Sequence, residues 1–193
     1  MSKRSIVNLI TAGLIGLVIV SGPDSPFTFA QQFTGVSPEQ RRAIQLSISS
    51  NGTPSYAFTR KPISVQSTFK WSEPVYVSIV MTNTATELVR VCEFSEYQQD
   101  RPQLTRDGEV LGYLENVTGA VRHADNGTCE VTMPPHIVDL KPNVPFRIPA
   151  IKLQDWYGPL RRGHYTLSLK RTFSCCADGQ WNSTNTISFD ITP

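Results

Sequence analysis

An antiparallel all-β sandwich is the fold class this sequence predicts, and three observations predict it. Apolar residues alternate with polar ones over short runs, the mark of strands with one buried face. Turn formers punctuate those runs: 14 Pro and 12 Gly in 193 residues are too many for a helical bundle. No helical pattern of about 10–15 residues falls between the runs, which counts against βαβ units and a parallel sheet.

The runs follow in order. Pro38-Glu39-Gln40-Arg41-Arg42 allows a short helical turn. Ile44, Leu46 and Ile48 then alternate with Gln45, Ser47 and Ser49, and Asn51-Gly52-Thr53-Pro54 ends that strand. Ile63, Val65 and Phe69 form a short second one. Val75, Val77, Ile79 and Met81 make the cleanest alternation in the chain. Asn83-Thr84-Ala85-Thr86 turns it into Leu88–Cys92, read as an antiparallel return. Asp107-Gly108 suits a type I′ turn, because both residues tolerate positive φ, and joins Leu104–Arg106 to Glu109–Leu114 as a hairpin. Residues 115–136 read as a long loop with Gly119, Gly127, Pro134 and Pro135. Strands within Val144–Leu153, from Tyr165 to Phe173, and through Ile187, Phe189 and Ile191 bring the expected total to about eight.

The front of the chain reads as an address. Lys3 and Arg4 precede the apolar stretch Ile6–Val20, a polar segment follows, and Thr28-Phe29-Ala30 sets small residues before Gln31. That order is the pattern of a removable export signal. A spanning helix needs roughly 20 apolar residues, and this stretch is shorter and holds Asn8 and Thr11, so cleavage is favoured over a retained anchor. The expected organisation is a signal peptide over 1–30, a polar lead-in over 31–42 and a sandwich domain over 43–193. The expected location is periplasmic or extracellular, with no membrane insertion after cleavage. A net charge of +2, from 18 basic and 16 acidic residues, argues against a nucleic-acid partner.

Export changes how the cysteines read. Outside the cytoplasm an even number favours disulfides over metal or catalysis. Cys92, Cys129, Cys175 and Cys176 allow three connectivities. A Cys175–Cys176 bond would close a strained small ring, so Cys92 or Cys129 is expected to pair with one of the vicinal two.

Phe69-Lys70-Trp71-Ser72-Glu73-Pro74-Val75, followed by Met81-Thr82-Asn83-Thr84, resembles the opening of bacterial exported immunoglobulin-like domains. Leu160-Arg161-Arg162-Gly163-His164-Tyr165-Thr166-Leu167 resembles their later strand entry. Immunoglobulin-like domains of the intracellular-proteinase-inhibitor type carry similar patterns. Over about residues 60–191 the resemblance implies an immunoglobulin-like sandwich, and it implies no function. Ser72 stands where the pattern has Gly, and Arg162 where it has Pro. A Tyr placed like Tyr165 can send its hydroxyl back to the upstream backbone and fix the corner between sheets.

Chemistry is scarce. No G-x-S-x-G, H-E-x-x-H, S-x-x-K or Gly-rich phosphate loop occurs, so the chain reads as non-enzymatic and without cofactor. His123, His136 and His164 lack the short spacings of zinc sites. Asp107 and Glu109 sit at a hairpin tip, where water solvates both. Trp156-Tyr157-Gly158-Pro159 is the provocative turn: Trp156, Tyr157 and Arg161 could form a recognition edge. Trp156 is more simply a plug under the sandwich, which leaves Tyr157 with Arg161. The expected function is recognition of another envelope or extracellular protein. A proteinase inhibitor presenting 115–136 is the alternative, and a periplasmic metal carrier ranks third.

Overall fold

The alternation in the sequence becomes burial in the structure, a computed structural model that describes residues 36–52, 65–93, 95–126, 136–173 and 180–193. The expected export signal lies outside the described residues, as do Cys129, Cys175 and Cys176. Phe33–Pro193 forms one compact unit.

Helix α1 (Pro38–Arg42) opens it, with Ser37 and Gln40 capping each other's backbone in a reciprocal box. Strands β1 (Ile44–Asn51), β3 (Tyr76–Asn83) and β8 (Phe146–Lys152) form one sheet in the order β1-β3-β8. Their inward residues are Ile44, Leu46, Ile48, Val77, Ile79, Met81, Ile148 and Ile151, all buried. On β8 the register slips between the Val77 and Ile79 pairings. Pro149 falls in that slip, on an edge strand where its missing N–H costs no ladder bond.

A second sheet runs β2 (Thr68–Lys70), β11 (Ile187–Thr192), β9 (Gly163–Arg171), β5 (Asp100–Arg106) and β6 (Glu109–Val110), with β10 (Asn182–Ser183) also on β9. Every ladder in the described residues is antiparallel except β2 on β11. Phe69, Leu104, Tyr165, Leu167, Leu169, Phe189 and Ile191 of this sheet share one buried cluster with the first. Strands account for 48% of the described residues and helices for 19%, so the fold is mostly β and mostly antiparallel.

Four expectations need correction. Leu88–Cys92 does not return along β3, because β1 and β8 already occupy both edges of that strand. β4 (Val89–Glu93) pairs instead with β7 (His136–Leu140), and Val89, Val91, Val138 and Leu140 bury one face of this small sheet. Asn83 makes the crossing possible: fully buried, it donates to the carbonyls of Glu87 (2.7 Å) and Leu140 (2.9 Å) and accepts from the Ala85 N–H. Second, Glu115–Asp125 is an eleven-residue helix, α3, not loop. Val117 and Val121, four residues apart, bury its one apolar stripe, too narrow a signal to stand out beside Gly119. Third, β6 stops at Val110; the Leu111 N–H still donates to the Leu104 carbonyl (2.9 Å), and Gly112–Leu114 leave the hairpin. Fourth, Val65 is exposed and outside β2, and Ile63 lies outside the described residues.

Short helices α2 (Glu96–Gln99) and α4 (Leu153–Tyr157) complete the set. Cys92 is buried in β4 and is not a free thiol. Its carbonyl accepts from Gln99 Nε2 at 2.8 Å, which ties the end of β4 to the start of β5.

Candidate functional site

Three turns meet at one end of the second sheet. The first is the β2–β3 turn. There the Lys70 N–H donates to Glu73 Oε2 (2.8 Å), the Glu73 N–H donates to the Lys70 carbonyl (2.9 Å), and the Trp71 N–H donates to the Thr192 carbonyl (2.9 Å). With its backbone pinned, Trp71 leaves its side chain in solvent and is 61% exposed. An indole held outward by a fixed turn loses little entropy when something packs on it.

The second turn is the β5–β6 hairpin tip, where Asp107 (φ 51°) and Gly108 (φ 89°) take the conformations that a type I′ turn demands. The Asp107 N–H donates to the His164 carbonyl (2.8 Å), and the His164 N–H donates to Asp107 Oδ1 (3.0 Å). This close approach needs Gly163, whose φ is 150° and whose added Cβ would lie 2.8 Å from Asp107 Oδ2. The third turn is Leu160–Gly163. Tyr165, fully buried, donates its hydroxyl to the Arg161 carbonyl at 2.5 Å, as its place after the Gly turn led us to expect. Burial pushes the Tyr165 hydroxyl above its ordinary pKa, so it stays a donor.

Together the turns frame a shallow hollow of about 610 Å³ lined by Trp71, Arg106, Asp107, Arg161 and Arg162. Three arginines and one carboxylate residue line it. Arg106 Nε lies 3.9 Å from Asp107 Oδ2, a loose pair. Arg161 and Arg162 are exposed and form no ion pair among the described residues.

The residues expected to form a recognition edge part company. Arg161 lies on this shelf. Trp156 is fully buried, its ring centroid 5.0 Å from that of Tyr97 and 5.2 Å from that of Tyr113, so it is the plug. Tyr157 is half-buried, and its hydroxyl is engaged by the fold. Its hydroxyl donates to the Pro102 carbonyl (2.6 Å) and accepts from the Leu104 N–H (3.2 Å), and the Tyr113 hydroxyl adds a second bond to the same carbonyl (2.8 Å). β6 is too short to cover β5 at that point, so the two phenols satisfy an otherwise open strand edge. Burial pushes the Tyr157 pKa strongly upward, which keeps the hydroxyl neutral. Tyr157→Phe should cost about 1–3 kcal/mol in chemical denaturation, because Leu104 loses its acceptor in a half-buried site. An unchanged midpoint would show that water replaces the phenol freely.

A second hollow, of about 510 Å³, lies beside α3. Its central side chain is already engaged: Arg101 Nη2 meets Asp125 Oδ1 at 2.6 Å, and its guanidinium stacks over the Trp181 ring at 4.9 Å. This is the clamp that holds α3 to β5. Among the described residues no group of three or more His, Cys, Asp or Glu converges as a metal site would.

Sequence reasoning missed Trp71, Arg106 and Arg162 as partners of Arg161. Nothing in one dimension places a Trp ninety residues upstream beside Arg161-Arg162. Comparison with protein-family models, with curated proteins and with solved structures finds no match to this chain.

Proposed function

We propose that this protein is an exported, non-enzymatic immunoglobulin-like module that acts by binding another protein through the Trp71–Arg161 shelf. The observation that carries the reading is an exposed Trp set among arginines on a backbone pinned at every turn. Trp and Arg are the residues most enriched where interfaces concentrate their binding energy, and a preorganised surface spends little on ordering. The immunoglobulin-like assignment draws support from the antiparallel sheets around one core and from the Tyr165 corner bond. The Lys3–Ala30 pattern supports export. The inhibitor reading is less favoured, because Glu115–Asp125 is helical and packed by Val117 and Val121, whereas a protease cleft takes an extended segment.

In-cell chemical cross-linking of the full chain, tagged at its C-terminus, tests this. The recovered protein should begin at or near Gln31 and carry a discrete cross-linked partner, which Trp71→Ala reduces by about tenfold. A membrane-sedimenting chain that retains Met1 would overturn export. Equal partner recovery with Trp71→Ala would overturn the shelf.

A further inference from the structure

We infer that the segment seated on this shelf is an acidic peptide, bringing carboxylates to Arg161 and Arg162 and an apolar side chain to Trp71. The inference rests on the recognition reading above. Local charge carries it. The chain as a whole is nearly balanced, 18 basic against 16 acidic residues, so three arginines in one hollow are not the by-product of a basic protein. The one carboxylate present is already engaged: Asp107 Oδ1 accepts from the His164 N–H, and Oδ2 faces Arg106. Two acids on the neighbouring turn and strand are engaged as well. Asp190 Oδ1 meets His164 Nδ1 at 2.8 Å, and Glu73 Oε2 accepts from the Lys70 N–H. Arg161 and Arg162 therefore line the hollow with no ion pair of their own among the described residues.

Guanidinium is weakly hydrated and presents a planar fork that matches a carboxylate with two parallel N–H···O bonds. The neighbouring indole provides an apolar face for the aliphatic part of the same segment. A nucleic acid is disfavoured, since a single Trp offers no run of stacking platforms.

Selection of random phage-displayed peptides on the folded protein tests the inference, followed by fluorescence anisotropy with the selected peptides made synthetically. Asp and Glu should be enriched over the unselected library. Affinity should fall about tenfold or more with Arg161→Glu/Arg162→Glu, and by a similar factor with Trp71→Ala. Arg122→Glu, on the exposed side of α3, should leave it unchanged. Raising the salt should weaken binding, because salt screens solvent-exposed ion pairs. Peptides that need Trp71 but are not acid-rich, and that ignore the charge reversal, would overturn the acidic partner and leave the recognition reading in place. Peptides indifferent to both variants, or no peptide that saturates, would overturn the recognition reading too. Saturable displacement of the peptides by single-stranded DNA more tightly than by poly-glutamate would reassign the shelf to nucleic acid.

Discussion

Trp156→Ala should lower the stability of this protein by about 3–5 kcal/mol. The ring, on α4, is fully buried, with Tyr97 of α2 and Tyr113, just before α3, packed on it at centroid distances of 5.0 and 5.2 Å. Its backbone carbonyl accepts from the Leu114 N–H at 2.8 Å, which ties α4 to the start of α3. Deleting the indole leaves a large hole lined by Tyr97 and Tyr113, the latter fixed by its hydroxyl bond to the Pro102 carbonyl and by its packing on the Tyr157 ring. A site held that firmly cannot collapse to fill the space, so the cavity adds its own cost to the lost burial. Against a total stability of about 5–15 kcal/mol, such a loss would leave the domain marginal. Urea unfolding followed by circular dichroism measures it, and Trp156→Phe should cost distinctly less. A loss below about 1 kcal/mol for the alanine variant would contradict the plug.

Arg171→Ala should be about as damaging, by about 3–5 kcal/mol, for an electrostatic reason. Arg171 and Asp100 are 2% and 1% exposed and meet at 2.6 Å on facing positions of β9 and β5. Arg171 Nη2 also donates to Gln99 Oε1, and Gln99 Nε2 donates onward to the Cys92 carbonyl. Truncating the arginine strands a carboxylate in the interior. Burial already pushes the Asp100 pKa up, opposed by the charge of Arg171 and its hydrogen bond. A carboxyl whose folded pKa lies above its unfolded value favours folding while protonated, at pH below the unfolded pKa. That contribution is lost as pH rises through the folded pKa. Removing Arg171 raises the folded pKa further, so the variant's deficit should be smaller at pH 4 than at pH 8. Replacing both partners, Asp100→Leu with Arg171→Met, should recover most of the loss, since an apolar pair of similar volume removes the desolvation cost altogether. A single variant with a pH-independent deficit, or a double variant no better than the single, would show that the pair is not the cause.

Strand content was legible because its signal is local. The period-two runs at Ile44–Ile48, Val75–Met81, Tyr165–Leu169 and Ile187–Ile191 each became a strand, or the core of one, with the expected residues inward. The Asp107-Gly108 turn and the Tyr165 corner bond were legible for the same reason: each depends on residues at most a few positions apart. Strand partnering was not. Leu88–Cys92 has the composition of a hairpin return, and only the occupancy of both β3 edges sends it to β7. α3 was hidden because two valines suffice to bury it, the rest of its hold coming from the Arg101–Asp125 pair on a distant strand.

The functional surface divides the same way. Sequence by itself determined a mostly β, antiparallel chain, favoured Trp156 as a plug over an exposed edge residue and drew attention to Arg161. Tertiary structure alone decided that Tyr157 closes a strand edge, that Trp71 faces solvent, and that Arg106 and Arg162 share a hollow with both Trp71 and Arg161. The reason is physical. Whether a side chain is in or out along one strand follows from the pleat, whereas a surface made of three turns exists only after β2, β5 and β9 have been set in register through β11 and through each other.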